Sequence, residues 1–431
     1  MSHNDSHPSS LPLRMAPFSA VLVGGGVVLG VVGIALAFLL APTSQRALAA
    51  LHFNWMFWSS VAIGMVVFSV ALHLTHARWA WSIKRFSLAG SAFLPVSFVI
   101  FPIMLFMGRN VFFHHWLPHG GHDPRQSDPV LHAKAAWLSF PGMMVRDMVA
   151  LVVLYGLALL FTYHQLRPDM HGRGWGRPTD DAVAVAEDAY RRNLKIGVFT
   201  ALAFAFGWGL IAIDIGMTTL PHFFSTMFPV TFFISAFHSA IAMTIVMVVL
   251  HRKSLGLESY ITEKQFHDIG KLLFAFAVFW MYINWSQYVV IWYGLLPTEQ
   301  EYFVRKFNQP FGPYVMATVM LIFVVPFFGL LPRAVKKASP ILAGFAVLVL
   351  LGHWMERFLL ATPNYWEESW GHIGIGLPEI LMALGFLGLF VACYRFFLSR
   401  YPVLPSPVSL NAIPSGLVTF PAPTRVRPAE A

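Results

Sequence analysis

Charged side chains within long apolar runs are the positions in this sequence most suited to chemistry. The set comprises Arg146, Asp147, Asp214, Glu356, Arg357 and Glu379. A charge in a low-dielectric interior is costly, so each of these residues is a candidate for an ion pair or for proton transfer. Neighbouring residues on a helix point about 100° apart, so we expect Arg146 and Arg357 to pair between helices.

Two interpretations of this charged set stay open. The first is a structural cluster of ion pairs, with Arg146 and Arg357 as its cations. The second is a proton-handling or quinone-facing layer, because a carboxyl group in a low dielectric takes up and releases protons closer to physiological pH. The proton-path candidates are then Asp147, Asp214, Glu356 and Glu379, with Lys271 as a basic group in the opposite half of the chain's helices.

Redox centres held by this chain are not expected. Iron–sulfur clusters and covalently attached haem c need several thiolates or a C-x-x-C-H run, and the only cysteine is Cys393. His238 and His251 have a spacing suited to haem b, but no second run offers a matching pair. These histidines are therefore interpreted as hydrogen-bonded core groups, and no metal site is expected.

The elements that carry these residues are predicted to be membrane-spanning helices. The sequence is 57% hydrophobic and 11% charged, which leaves too little polar surface for a water-soluble globule of 431 residues. A bilayer core of about 30 Å needs roughly 20 apolar residues per helix. Ten runs meet this length: 18–41, 52–73, 86–108, 140–163, 193–215, 229–251, 267–294, 313–332, 339–361 and 376–399. The fold class is thus an all-α integral membrane protein, with tails at 1–17 and 400–431 around a domain at 18–399.

The basic residues predict the orientation. With the N-terminus in the cytoplasm, 21 of the 29 Lys and Arg residues fall inside, six fall outside and two lie within helices. Both termini are then cytoplasmic, and the carboxylates lie toward the outer face. The net charge of +9 does not indicate nucleic-acid binding, because the basic residues are scattered between apolar runs.

The connecting segments carry further expectations. The outer loop 109–139 contains His114, His115, His119 and His122, and its composition predicts a segment that packs no core but caps a partner. The inner connector 167–192 is expected to be solvated, with a short amphipathic helix, and the Pro-rich tail after 400 to be extended. Interior prolines, Pro95, Pro102 and Pro326, favour kinks. Glycines on the first helix favour close helix contact.

Three stretches resemble a known family. They are DIGMTTLPHFFST from Asp214, the segment from Thr262 to Arg305 that contains HDIGKLLFAFAVFWMYINWSQYVV, and GHWMERFLLATP from Gly352. Together with ten helices, they resemble the large membrane subunits of alternative complex III, a quinol:electron-acceptor oxidoreductase, within the polysulfide-reductase membrane-subunit superfamily. The chain looks like the F type of these subunits. The resemblance implies two four-helix bundles with two flanking helices.

The resemblance also implies partners and a site. The partners are a homologous C-type membrane subunit, a periplasmic iron–sulfur subunit and haem c subunits, with menaquinol, lipid and the bacterial cytoplasmic membrane as surroundings. His222 and Asp214 match the family's D-x-x-M-x-x-x-P-H stretch, although Leu220 replaces a usual acidic residue, and this match adds His222 to the proton-path candidates. Phe106 and Gly142 stand where the C type has a quinol-contacting His and an Asp. These departures weigh against quinol oxidation at the sister subunit's site.

Three functions are compatible with these features of the sequence. The first is a subunit of a quinol-oxidising complex that contributes proton movement or quinone-region architecture. The second is a free-standing secondary transporter, which would favour broken helices and an aqueous site at the bilayer midplane. The predicted position of the carboxylates off the midplane argues against it. The third is a scaffold that conducts no proton.

Overall fold

The residues that the structure describes include ten helices long and apolar enough to span a bilayer. The computed structural model describes residues 15–170, 175, 181–364, 366, 370 and 374–411. The spanning helices, α1 to α10 in chain order, are Ala20–Leu40, Ser44–Leu74, Lys84–Phe112, Phe140–Met170, Ala182–Thr219, Met227–Arg252, Glu263–Gly294, Gly312–Gly329, Ser339–Asn364 and Leu377–Arg400. The described part contains no strand, so the predicted class, an all-α multi-pass membrane protein, is confirmed.

The helices pack as two four-helix bundles with two flanking helices. Helices α2 to α5 contact one another, α6 to α9 form the second group, and α2 packs against both α6 and α9 where the groups meet. Helix α2 is buried along almost its whole length, whereas one side of α1, α4, α5 and α8 carries exposed apolar residues for lipid. The core of the molecule therefore lies along α2 and α6.

Glycines bring α1 against α10. A Cβ on Gly26 would lie 2.7 Å from the carbonyl oxygen of Gly388, and one on Gly33 would lie 2.9 Å from the Cα of Gly385. This confirms the expected close contact at these positions, because only a hydrogen fits between the two backbones. Gly24 and Gly25 have no atom within 4 Å at their Cβ positions, so the same expectation is wrong there.

Two helices carry a turn of π-helix. One lies at Phe204–Trp208 in α5, and the other lies at Met320–Val324 in α8, directly before Pro326. Proline has no N–H to donate, and a widened turn accommodates the lost helical bond. Pro95 lies in the first turn of the α-helical stretch Leu94–Phe112, where its missing N–H costs nothing, and Pro102 lies inside it.

The helix ends define two faces of the molecule. The proximal end holds the described termini near residues 15 and 411 together with the turns 75–83, 253–262 and 330–338. The distal end holds the segments 113–139, 220–226 and 295–311. A separate helix, Pro297–Phe307, lies at this distal end and begins with a proline in its first turn. The charged set of the sequence lies toward the distal end.

Two connecting segments differ from expectation. The amphipathic helix predicted within 167–192 is the beginning of α5, which Asp181 caps by accepting a hydrogen bond from the Val183 N–H. The segment after Arg400 is not simply extended, because it folds back onto α3 and α4. There Pro402 O accepts from Arg85 at 2.9 Å, and Asp169 Oδ1 accepts from the Ser406 N–H at 2.8 Å. Five of the basic residues counted on the cytoplasmic side, and Asp180 of the inner connector, lie outside the described residues; the five are Arg14, Arg173, Arg177, Arg425 and Arg427.

Candidate functional site

A buried chain of two histidines and one glutamate crosses from α9 to α6. His353 and Glu356 lie three residues apart on α9, so both side chains share one face of that helix. His353 Nδ1 lies 2.8 Å from Glu356 Oε2, and His353 Nε2 lies 3.0 Å from His238 Nδ1 on α6. His238 Nε2 lies 3.1 Å from the carbonyl oxygen of Leu273 on α7. The chain thus joins three helices.

The three side chains of this buried chain are shielded from the protein's surface. The exposed fractions are 0% for His238, 1% for His353 and 8% for Glu356. The second carboxylate oxygen of Glu356 accepts from Trp280 Nε1 at 2.8 Å and from the Ser235 hydroxyl at 2.9 Å. The glutamate is therefore held by three contacts in a fixed position, as a group that exchanges protons with His353 requires.

Proton counting gives the protonation state in which every contact of the buried chain is a hydrogen bond. The Leu273 carbonyl only accepts, so the His238 Nε2–H points at it and, in the neutral ring, Nδ1 is an acceptor. With two neutral rings and an ionised Glu356, one of the two remaining contacts would bring lone pairs together. All contacts become hydrogen bonds when the three groups hold one further proton, on Glu356, His353 or His238. These three forms interconvert by proton transfer along the chain.

The buried chain of His238, His353 and Glu356 extends toward the middle of the spanning helices. At about 1.5 Å per residue, Glu356 lies roughly 7 Å from the distal end of its α-helix at Ala361, and His353 lies about 12 Å from it. By the same measure His238 lies about 16 Å from the distal end of α6 at Met227. The two histidines thus lie deeper along their helices than Glu356, and the expectation of a position near the helix ends concerned the carboxylates alone.

Cationic and aromatic groups cover the distal end of this chain. The Arg357 guanidinium donates to the Phe232 carbonyl at 2.9 Å and lies 3.9 Å from the Phe232 ring centre, while its Nη1 has no hydrogen-bond partner among the described residues. From the helix Pro297–Phe307, the Lys306 ammonium contacts the Tyr302 hydroxyl. Burial lowers the pKa of Lys306 to about 7 and raises that of Tyr302.

A second cluster lies between α4 and α5. Arg146 Nε and Nη2 lie 2.5 and 2.8 Å from the two carboxylate oxygens of Asp214, and Trp137 Nε1 donates to Asp214 Oδ1 at 2.8 Å. This confirms pairing between helices for Arg146. Asp147 beside it is fully buried, and neither of its oxygens has a hydrogen-bond partner among the described residues. An ion pair and an unpaired carboxyl group therefore stand side by side.

Glu379 has a separate set of partners. Arg46 donates to its two oxygens at 2.7 and 3.1 Å and to the Trp370 carbonyl at 2.6 Å. The Gly376 N–H also donates to Glu379, at 2.7 Å. These contacts tie the beginning of α10 to the beginning of α2 and give Glu379 the geometry of a structural anchor.

The two remaining candidates lie in other places. His222 contacts Asp128 at 2.6 Å near the distal surface, and this hydrogen bond is the main cause of the lowered pKa of Asp128. Lys271 pairs with Asp268 at 2.7 Å near the beginning of α7, in the proximal half. No described hydrogen bond or ion pair connects either residue with the chain through Glu356. The candidate residues are therefore not one continuous layer.

The histidine-rich loop 109–139 packs against the helices, contrary to expectation. Phe113 and Trp116 are fully buried, and Trp116 Nε1 donates to the Thr218 carbonyl at 3.1 Å. Lys134 Nζ donates to the Pro221 carbonyl at 2.7 Å. Aromatic residues provide the apolar surface that composition alone did not reveal. His114, His119 and His122 stay exposed, and contact with a partner stays a prediction for them.

Histidine, cysteine and carboxylate side chains are the groups that could hold a metal ion or a haem. Within the described part of the chain no three His, Cys, Asp or Glu residues are grouped to hold a metal ion. Both ring nitrogens of His238 already have partners, and His251 Nδ1 lies 2.9 Å from the Met247 carbonyl. The pair considered for haem thus serves in protein hydrogen bonds, as interpreted from its spacing.

Sequence reasoning missed His353 as the link of the buried chain. The H-x-x-E spacing of His353 and Glu356 within GHWMERFLLATP was an available signal, since residues three apart share a helix face. Arg46 as the partner of Glu379, and Asp128 as the partner of His222, had no comparable signal.

In a comparison with known proteins, the sequence matches no family model and no curated protein.

Proposed function

We propose that this protein is an integral membrane subunit of a quinol-oxidising electron-transport complex of the alternative complex III type. We further propose that it moves protons along the hydrogen bonds that join His238, His353 and Glu356. The observation that carries the proposal is the proton stored in this chain. Its three hydrogen bonds close only with one more proton than two neutral imidazoles and a carboxylate hold. A scaffold would need no such group in its core.

The chemistry of the chain suits this role. A proton on Glu356 passes to His353 Nδ1, and the proton on His353 Nε2 then passes to His238 Nδ1, so Glu356 loses a proton, His353 gains one and loses one, and His238 gains one. Quinol oxidation releases protons that need acceptors at defined positions. The electrons would go to haem c and iron–sulfur subunits, since this chain's Cys393 cannot hold such centres alone.

The resemblance supports the complex as the setting. It includes GHWMERFLLATP, which contains both His353 and Glu356 of the buried chain. The proposed partners are the C-type membrane subunit, the iron–sulfur subunit and the haem c subunits, in a bacterial cytoplasmic membrane with both termini inside. A free-standing transporter would instead use the interior site for a solute, and the described residues there are joined to one another rather than open.

The test uses the complex purified in mild detergent and reconstituted into vesicles, with quinol-driven turnover and proton release as readouts. Glu356→Gln is suited to it, because a glutamine amide donates to His353 Nδ1 and closes every hydrogen bond without a stored proton. We expect normal haem and iron content but proton release reduced about tenfold or more. The control Glu301→Gln changes a half-buried ion pair with Arg305 at the same end, outside the hydrogen bonds of Glu356, and should leave release unchanged.

Two outcomes would contradict the proposal. Equal proton release in Glu356→Gln and Glu301→Gln would exclude the proton route while leaving the subunit as a scaffold. Purification of the chain alone, without haem c or iron–sulfur signals under conditions that keep membrane complexes intact, would exclude the complex and favour a transporter.

A further inference from the structure

A cavity of about 440 Å³ opens at the proximal end, away from the buried proton chain. Its wall is built from the end of α2, the turn 75–83, the beginning of α3, the end of α4, the first turns of α5, the beginning of α7 and residues 405–410. The side chains that line it include seven His, Lys or Arg residues and no Asp or Glu residue among the described ones. Asp169 pairs with Arg85 but is not part of the lining, so the wall carries an excess of positive charge.

Lys84 is the central cation of this wall. Its ammonium contacts His73 Nδ1 at 3.0 Å, and no carboxylate oxygen lies within 4 Å among the described residues. The neighbouring Arg85 is different, because it forms an ion pair with Asp169 and donates to the Pro402 carbonyl. Lys84 thus has a neutral hydrogen-bond partner and a charge that nothing described compensates.

His73 holds the Lys84 ammonium in the cavity wall. Its Nδ1 accepts from Lys84 and from Gln165 Nε2 at 3.1 Å, so the ring proton of neutral His73 lies on Nε2. That Nε2 is buried beside the Tyr190 backbone and does not face the cavity. The Lys84 ammonium is therefore the donor that a ligand in the cavity would meet.

We propose that this cavity binds the phosphate group of an anionic membrane phospholipid. An ammonium without a carboxylate partner among the described residues matches the charge and the acceptor oxygens of a phosphate. The cavity lies at the ends of spanning helices, where phospholipid phosphates lie, and Leu72, Trp79 and Leu410 add apolar wall for the glycerol and upper acyl region. Basic cavities between helix ends on the cytoplasmic side recognise anionic headgroups in this way. This proposal is independent of any role in electron transport.

The test measures lipid retention by native mass spectrometry after reconstitution in nanodiscs with equal parts of phosphatidylglycerol and phosphatidylcholine of the same acyl chains. We expect one phosphatidylglycerol retained per chain in preference to phosphatidylcholine. Lys84→Gln should lower its retention about tenfold, whereas Lys84→Arg should keep it. The control Lys253→Gln removes an exposed charge at the same end, outside the cavity, and should change nothing.

A second variant guards against a folding defect in Lys84→Gln. His73→Phe leaves the lysine charge but removes the Nδ1 acceptor that positions the Lys84 ammonium, and it should lower retention about threefold. Equal retention of both lipids, or equal loss in Lys84→Gln and Lys253→Gln, would overturn the proposal. Displacement of the lipid by millimolar inorganic phosphate would overturn the lipid as occupant and identify free phosphate as the ligand. Undisturbed retention in that phosphate buffer would support the lipid.

Discussion

Arg146 holds Asp214 through both carboxylate oxygens, at 2.5 and 2.8 Å, across the interface of α4 and α5. The two residues are 68 positions apart in the chain. Asp214 is fully buried, whereas the Arg146 side chain is 22% exposed, so the pair lies at the border of the core. Removing one member leaves the other without compensation, which is where most of the cost of a buried ion pair appears.

Arg146→Ala should therefore destabilise the protein. We expect a loss of about 3 kcal/mol in the free energy of unfolding, the lower part of the range for buried pairs, because Arg146 is partly exposed. Chemical unfolding in detergent, followed by tryptophan fluorescence, measures it. Arg109→Ala, which removes an exposed arginine of α3, should change stability by about 0.5 kcal/mol or less. Similar losses of unfolding free energy in the two variants would show that the ion pair of Arg146 and Asp214 stabilises the protein no more than an exposed arginine does.

Asp147→Asn and Asp214→Asn should behave differently although the two residues are neighbours. Asp214→Asn removes the charge that Arg146 binds and should lower yield and stability by about 2–3 kcal/mol. No described group donates a hydrogen bond to Asp147, and the amide of Asp147→Asn can donate to Asp214. Assembly of this variant should therefore be normal. If Asp147 belongs to the proton route, its variant should also reduce quinol-driven proton release. Equal instability of both variants would contradict this distinction.

The stability of the distal end should depend on pH through Lys306. Burial lowers its folded pKa to about 7, below the unfolded value of 10.5, so the unfolded chain binds more protons between these values. Stability must then rise with pH across this window, by at most about 1.4 kcal/mol per pH unit. Apparent melting temperatures at several pH values measure the effect. Lys306→Gln should flatten the curve relative to the unaltered protein, and an unchanged slope would disprove the assignment to Lys306.

Single cysteines should test the orientation in the membrane. His119→Cys places an exposed thiol in the distal loop, and Lys253→Cys places one at the proximal end. With both termini in the cytoplasm, a membrane-impermeant maleimide should label the first variant in intact spheroplasts and the second only after lysis. The native Cys393 is changed to Ser in both variants to remove background. The reverse labelling pattern would invert the predicted topology.

Composition and hydropathy determined the ten spanning helices, because a segment in lipid must satisfy its backbone hydrogen bonds internally and this depends on local sequence. Helix ends were less accurate: α2 begins at Ser44 rather than near 52, and α5 begins at Ala182 rather than near 193. Polar residues in the first turns of these helices hide their starts from a hydropathy window. Asp181 nevertheless caps α5 in the manner expected of an acidic residue before a helix.

Partners across the fold were decided only by the tertiary structure. His238 and His353 are 115 residues apart, and Arg46 and Glu379 are 333 apart, so no local pattern pairs them. Which groups meet depends on how far each helix is rotated about its axis and shifted along it, and packing of the whole bundle sets both. The sequence alone therefore determined which residues were costly to bury, while the assembled helices decided that Glu379 is anchored by Arg46, that Asp147 stays outside the ion pair of Arg146 and Asp214, and that Glu356 contacts His353.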